Sequence, residues 1–220
     1  MLSTLGEHYV EGGFAMHIIA LFLLLSIAII VERVVYLYKC SINADAFIAT
    51  LQKCILAGDL ARAIKLCSAQ DAPLSRIIKA GLMKVNRSDK EVQAAMDETA
   101  LKELPRIERR TPYLGLLANL TMLCGLFGTV VGLIGAFGAV GSGADAATKA
   151  LVLAAGISEA MNCTAFGLLS AITALIGFAL INGKTQSLLD EINSATVQVM
   201  NLVVNNRSKI NLSGVEADAA

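Results

Sequence analysis

The sequence has little charge. Asp, Glu, Lys and Arg make up 16% of its 220 residues, whereas 55% of the residues are hydrophobic; soluble domains carry roughly a quarter of charged residues. The mean hydropathy is +0.65. The 18 basic and 18 acidic side chains cancel, so the net charge points to no partner of either sign. The shortage of charge, together with the high hydropathy, indicates a protein that has lipid as part of its solvent.

The sequence also lacks the residue patterns of metal sites and of common enzyme active sites. None of its cysteines forms a CxxC or a Cys–His array, and the two histidines lie near the N-terminus without a cysteine or carboxylate cluster. No nucleotide-binding motif is present. We therefore expect no enzymatic activity, metal, cofactor or nucleic-acid partner. We also expect no disulfide, since two cysteines lie in apolar runs and three in a segment that we assign to the reducing cytoplasm. The cysteines are Cys40, Cys54, Cys67, Cys124 and Cys163.

Three long apolar runs cover residues 14–37, 113–140 and about 151–181. Each is long enough for the roughly 20 residues that a helix needs to cross a bilayer. The first run could instead be a cleaved signal peptide, but residues 1–15 contain no Lys or Arg and no A-x-A site follows the run. We therefore predict an all-α integral membrane protein with three transmembrane helices and long cytoplasmic helical extensions.

The remaining sequence divides the chain into four parts. The stretch between the first two apolar runs is polar, with apolar residues at helical spacing, and predicts three or four helices. Ser88 and Glu91 have the spacing of a capping box. The last stretch continues the helical period of the third run. The predicted parts are 1–39 (outside N-terminus and first transmembrane helix), 40–112 (cytoplasmic helical module), 113–183 (second and third transmembrane helices, with a short outside turn at 141–150) and 184–220 (cytoplasmic helix and tail).

The distribution of basic residues predicts the orientation. Thirteen of the 18 Lys and Arg residues are Lys39 or lie in residues 40–112, and residues 1–15 have none. Arg106, Arg109 and Arg110 directly precede the second transmembrane helix, where the positive-inside rule applies best. We therefore expect the N-terminus outside the cell membrane and the C-terminus inside.

Glycines mark one face of the second transmembrane helix. Gly125, Gly128, Gly132 and Gly135 follow at spacings of three, four and three residues, and small residues so placed let helices approach closely in lipid. This pattern fits close packing within one monomer and an oligomer interface equally well. Thr129 lies within the stripe, although most membrane threonines only bond to their own helix.

Glu159 is the acidic residue that stands out in the third apolar run. Apart from Glu32, at the edge of the first run, no other acidic residue lies in an apolar core. An ionised carboxylate in the bilayer costs at least ~2–3 kcal/mol, so such a residue is a functional candidate by default. The alternative is that Glu159 is simply hydrated near the outer interface.

Other polar residues follow Glu159 along the same helix. Helical geometry places Asn162, Ser170 and Thr173 within about 60° of Glu159, as expected if one face meets water or a partner. Thr164 lies about 140° away from Glu159. By depth in the membrane, Thr164 and Thr129 can face one shared cavity.

Two segments resemble the signatures of the ExbB/TolQ/MotA proton-channel family. LLANLTMLCGLFGTVVGLIGAF is similar to the family's second-helix signature, and GISEAMNCTAFGLLSAI is similar to its third-helix signature. The order of parts along the chain also matches ExbB and TolQ, and Glu159 favours that branch over MotA. The sequence departs from the family's prolines, with Met122 and Cys124 near one of these positions and Thr173 at another.

The resemblance implies a pentamer of this chain around a dimer of single-span partners of the ExbD/TolR type. A partner aspartate would carry the proton, Thr129 and Thr164 would line the pore beside it, and Glu159 would stand near the outer mouth. The implied function is that of a stator subunit in the bacterial inner membrane that converts proton motive force into mechanical work. A passive membrane scaffold and a self-sufficient channel are the alternatives. The expected conducted ion is H⁺ rather than Na⁺. The sequence does not determine which machine the complex drives.

Overall fold

The computed structural model describes residues 13–140 and 145–206 and, within these ranges, consists of α-helices and their connections. Three helices are long and apolar enough to cross a membrane: α1, α6 and α7. The all-α prediction with three such helices is confirmed. Parts of the predicted N-terminal segment, outside turn and tail lie outside the described residues. The helices are α1 (Gly13–Cys40), α2 (Ala44–Leu56), α3 (Leu60–Ala69), α4 (Pro73–Leu82), α5 (Asp89–Glu108), α6 (Thr111–Val140) and α7 (Ala146–Asn206).

The third apolar run belongs to one helix of 61 residues that begins at Ala146. Residues 146–150, which the sequence placed in an outside turn, are therefore the start of α7, and that part of the prediction was wrong. Thr148 donates its hydroxyl to the Asp145 carboxylate and thereby lowers the pKa of Asp145. A short acidic side chain just before a helix satisfies amides of its first turn, which explains the earlier start.

The chain divides into two compact units. The first, here called the apolar unit, contains the residues up to Arg33 together with Arg110–Ile181. The second, here called the helical module, contains Val34–Arg109 and the residues from Asn182 onward. The segments predicted as cytoplasmic module and tail thus fall largely in one unit.

Polar side chains start three helices of the helical module. Asn43, Asp59 and Ser88 precede α2, α3 and α5, and each accepts a hydrogen bond from the backbone amide three residues further on. Ser88 also donates its hydroxyl to the Glu91 carboxylate at 3.1 Å. Ser88 is thus the predicted N-cap of α5, but the Glu91 carboxylate bonds to the Ser88 hydroxyl and not to the Ser88 backbone amide, which a full capping box requires.

Apolar side chains from α2, α4, α5 and the C-terminal part of α7 form the core of the helical module. Each fully buried Leu, Ile or Met contributes about 1.5–3 kcal/mol. Burial also raises the pKa of the Cys67 thiol to about 11, so this cysteine stays protonated at neutral pH and behaves as a small apolar side chain. The largest buried side chains of the helical module are Leu51, Ile55, Ile77, Ile78, Leu82, Val85, Met96, Ile107 and Ile192.

One buried carboxylate is neutralised within the helical module. The Glu103 side chain is 6% exposed and accepts hydrogen bonds from Arg76 at 2.8 Å and from Arg106 at 2.9 Å. Burial works against the charge of Arg76, but its hydrogen bond and charge interaction with Glu103 and its pairing with Asp71 raise the pKa of the guanidinium overall. The charge of Glu103 is therefore compensated on both of its oxygens.

We predict that Glu103→Gln destabilises the chain by about 1–3 kcal/mol, because it leaves two arginines without their shared carboxylate. The partial exposure of Arg76 keeps the loss below that of a fully buried pair. Glu98→Gln is the matched control, since Glu98 is an exposed residue of the same helix paired with Lys102. Thermal unfolding in detergent measures both variants, and equal melting temperatures would contradict the prediction.

Within the apolar unit, α6 and α7 cross antiparallel with their backbones in contact. A Cβ atom at Gly167 would lie 2.9 Å from the Gly125 Cα and 3.2 Å from the Thr121 carbonyl oxygen. Both neighbouring atoms belong to the backbone and cannot turn away. The same contact continues along the pairs Gly128–Cys163, Gly132–Ala160 and Ala136–Gly156.

Gly167→Ala should therefore force α6 and α7 apart and cost about 1–3 kcal/mol. Gly183→Ala is the matched control on the same helix, because a Cβ there meets no atom within 4 Å and alanine favours helix by up to about 1 kcal/mol over glycine. A lower melting temperature in detergent is expected for Gly167→Ala alone. A similar melting temperature for both variants would show that the crossing tolerates a methyl group.

Candidate functional site

Glu159 lies half-buried on α7, against the first residue of α1. A Cβ atom at Gly13 would overlap the Glu159 Oε1 atom and lie 3.2 Å from its Cδ. The carboxylate therefore occupies the space that a side chain at the start of α1 would need. The sequence selected Glu159 for its charge but did not indicate this neighbour.

Glu159 also borders two cavities. One, of about 230 Å³, is lined by residues of α1 and α6, and the other, of about 520 Å³, is lined by residues of α6 and α7. Both have mainly apolar walls, and both are large enough to hold water. The carboxylate is thus the charged group that the two cavities share. Lining residues include Ala15, Ile18, Cys124 and Gly128 in the first and Val131, Gly135, Val152 and Gly156 in the second.

The two predicted threonines lie near one backbone carbonyl, that of Gly125. Thr164 donates its hydroxyl to the Gly125 carbonyl oxygen at 3.2 Å, across the α6–α7 crossing. In the α-helical pattern the amide of Thr129 bonds to that same carbonyl, and the Thr129 hydroxyl donates to the Leu126 carbonyl at 2.6 Å. Thr129 thus lies one helical turn along α6 from the carbonyl that Thr164 contacts, while its own hydroxyl bonds within α6. Neither lines the two cavities beside Glu159, and a pore that both would face stays a prediction.

The glycine stripe of α6 divides into two parts. Gly125, Gly128 and Gly132 contact α7 of the same chain. At Gly135 a Cβ atom would meet nothing within 4 Å. Three of the four predicted glycines thus pack within the monomer, and a role of the stripe at an oligomer interface stays a prediction.

The side of α7 that carries the predicted polar face meets α1 at two points. Glu159 and Gly177 lie on the same side of α7; Glu159 contacts Gly13, and a Cβ at Gly177 would lie 2.8 Å from the Ile30 Cγ1. Ser170 lies between these points on the same side, is 2% exposed, and its hydroxyl has no hydrogen-bond partner among the described residues. Two positions on this side of the helix therefore contact α1 of the same chain, and Ser170 between them is buried.

The other end of the predicted polar face behaves differently. Thr173 is exposed and donates its hydroxyl to the Leu169 carbonyl of its own helix at 2.9 Å. The prediction of one continuous face toward water or a partner was therefore wrong for Ser170. Helical spacing places residues on one side of a helix, but it does not tell which neighbour covers each of them.

Glu32, the other acidic residue at an apolar edge, has a structural partner. Its carboxylate accepts a hydrogen bond from Arg110 and lies 3.8 Å from a guanidinium nitrogen of Arg33, a residue that is 3% exposed. This pairing accounts for the charge of Glu32. Among the acidic side chains of the apolar unit in residues 13–140 and 145–181, Glu159 is the one inside an apolar run for which packing gives no such account.

Thr164→Val should destabilise the α6–α7 crossing by about 0.5–1.5 kcal/mol, because it removes a hydrogen bond between the two helices. Thr173→Val is the control on the same helix, since that hydroxyl bonds only to its own helix. Thermal unfolding in detergent compares the two. A loss of equal size in both variants would mean that the bond to Gly125 adds no stability between helices.

Part of the chain, including Thr129, Glu159 and Thr164, matches a known protein family. Residues 69–194 match the sequence family described as the MotA/TolQ/ExbB proton channel family. An ExbB-like biopolymer transport protein of Synechocystis sp. is 27% identical over 155 residues, which are 70% of this chain and 74% of the relative. A biopolymer transport protein ExbB homolog of Methanothermobacter thermautotrophicus is 27% identical over 191 residues, 86% of this chain and 67% of the relative. The Tol-Pal system protein TolQ of Haemophilus influenzae is 42% identical over 84 residues, 38% of this chain and 36% of the relative.

Proposed function

The chain belongs to the MotA/TolQ/ExbB proton channel family, and on this basis we propose that it is the multi-pass subunit of a proton-driven stator complex in the bacterial inner membrane. In this role it conducts protons jointly with a partner and converts the proton motive force into movement. Three helices able to cross a membrane support the multi-pass assignment. The similarity to proteins named ExbB and TolQ supports the branch.

The position of Glu159 is the main observation that supports this proposal. A carboxylate in a membrane-spanning helix is costly and therefore marks a functional position, and Glu159 borders two cavities of the apolar unit. Hydroxyl groups follow near the α6–α7 crossing, where Thr164 bonds to the Gly125 carbonyl and Thr129 lies one helical turn further along α6. A proton crossing an apolar barrier needs such groups along its path. We assign Thr129, Thr164 and Glu159 to the ion pathway.

The chain does not complete this pathway alone. We propose a pentamer of the chain around a dimer of single-span partners of the ExbD/TolR type, with a partner aspartate as the proton carrier. Protons enter from outside, neutralise that aspartate and leave to the cytoplasm. The charged and neutral aspartate make different contacts with the surrounding threonines, and this difference drives relative rotation. Each charge moved across 100 mV supplies about 2.3 kcal/mol.

The orientation of the chain follows from its basic residues. We propose that the N-terminus lies outside and that residues 40–112 and the C-terminal helix lie in the cytoplasm, since Arg106, Arg109 and Arg110 precede α6. The machine that the complex powers would act on the envelope, in outer-membrane transport, envelope integrity or gliding.

Proton flux into liposomes tests the proposal. We expect flux for the chain together with its single-span partner and none for either protein alone. Thr129→Val and Glu159→Gln should reduce the flux of the complex to that of protein-free liposomes, because they remove a hydroxyl and a charge from the path. Thr121→Val is the control on α6, since the Thr121 hydroxyl bonds only to the Leu117 carbonyl of its own helix, and it should retain the flux.

The alternative function, a passive scaffold that recruits partners through its helical module, predicts the opposite result. A purified complex that binds its partner but conducts no protons would contradict the channel proposal. Flux that is equal with and without the partner would favour a self-sufficient channel. Unchanged flux in Thr129→Val and Glu159→Gln would remove these residues from the pathway.

A further inference from the structure

We propose that the start of α1, through Gly13, positions the Glu159 carboxylate for its part in proton conduction. Gly13 is then a positioning residue, which acts through Glu159. The functional consequence rests on the proposed channel function, whereas the positioning itself can be measured without it. In this proposal α1 is part of the conducting site as well as a membrane anchor.

The backbone at Gly13 meets two demands that favour glycine. Its φ angle is +64°, in the left-handed region. A side chain there would also overlap the Glu159 Oε1 atom and lie 3.2 Å from Cδ. The atoms that a methyl group would meet are thus those of the carboxyl group, at the flexible end of a side chain. A methyl group at Gly13 would therefore turn the carboxylate away and leave the backbone of α7 in place.

The N-terminal end of α1 is packed tightly enough to hold Gly13 in a fixed position. Met16 is 2% exposed and Ile19 is 0% exposed. A Cβ at Gly128 would lie 3.2 Å from the Ala15 Cβ, which shows that this end of α1 reaches into the α6–α7 crossing. Further along, Ile30 packs against Gly177. With contacts at both of these levels, α1 fixes the position of Gly13 relative to α7.

The partial charge at the start of α1 also favours the Glu159 carboxylate next to Gly13. The first turn of a helix carries partial positive charge and attracts a carboxylate. Ala15 and Ile18 of the same turns line the smaller cavity that Glu159 borders. Contact with Gly13 therefore sets how the carboxylate is presented to that cavity and to the larger one between α6 and α7.

A double-mutant experiment on proton flux tests the proposal in the complex with its partner. Gly13→Ala should strongly reduce flux when residue 159 is Glu. Glu159→Asp shortens the side chain by one methylene and withdraws the carboxylate from the clash. We therefore expect Gly13→Ala to cause no further loss in a Glu159→Asp background. If Gly13→Ala lowers the flux by the same factor with Glu or Asp at residue 159, the proposal is overturned. Residues that do not interact have additive effects in free energy.

Two control variants separate positioning from general damage. Gly58→Ala imposes the same left-handed strain, with a φ of +75°, in the helical module. Its effect should be the same whether residue 159 is Glu or Asp. Gly138→Ala adds a methyl group to α6 where a Cβ meets nothing within 4 Å, and it should leave the flux unchanged. Coupling between Gly58→Ala and Glu159→Asp as large as that of Gly13→Ala would contradict the proposal.

A measurement without proton flux distinguishes this proposal from the channel function. Carbodiimide modification of Glu159, followed by mass spectrometry in detergent, reports how the carboxyl group is presented. Gly13→Ala should speed this modification several-fold while leaving that of Glu98 unchanged. An unchanged rate at Glu159 would overturn the positioning role. A faster rate in a complex that conducts no protons would support the positioning role and contradict the channel function.

Discussion

The backbone contact between α6 and α7 sets the geometry of the apolar unit. In lipid there is no hydrophobic force that drives one apolar helix onto another, so close packing and hydrogen bonds must hold the helices together. Gly125 and Gly167 provide that packing, since a methyl group on either would press on the backbone of the other helix. The same closeness lets the Thr164 hydroxyl reach the Gly125 carbonyl. The register of this one crossing places Thr129, Thr164 and Glu159 along a common stretch of the two helices.

The first helix adds the second constraint. It meets α7 at Gly13, beside Glu159, and at Ile30, beside Gly177, with the buried Ser170 between these levels. At each of these places a glycine provides the room for a polar or bulky group of the neighbouring helix. The helical module is stabilised differently, by an aliphatic core and by a buried carboxylate that two arginines neutralise. Its folding therefore depends on the burial of side chains away from water.

The sequence predicted the elements of this structure better than their contacts. Three apolar runs predicted the three long helices, Ser88 predicted the side-chain cap at the start of α5, and the cost of a membrane carboxylate selected Glu159. The start of α7 at Ala146 was missed because the bond from Thr148 to Asp145 is a local cap within a polar segment. The contact of Gly13 with Glu159 was missed for another reason: a helix that is apolar on all sides has no distinct face, so its sequence does not say which side meets a neighbour. The glycine stripe likewise gave no sign that the contact with α7 bypasses Gly135 and continues at Ala136.

Proton flux through the complex with Gly167→Ala tests most directly whether the α6–α7 crossing holds the pathway together. This variant keeps Thr129, Thr164 and Glu159 and changes only the distance between the two backbones. Flux should be measured at a temperature where the protein stays folded and bound to its partner, with Gly183→Ala as the control. We expect flux to fall to the level of protein-free liposomes for Gly167→Ala and to persist for Gly183→Ala. Flux at the wild-type level in a folded Gly167→Ala complex would contradict a pathway that depends on this contact.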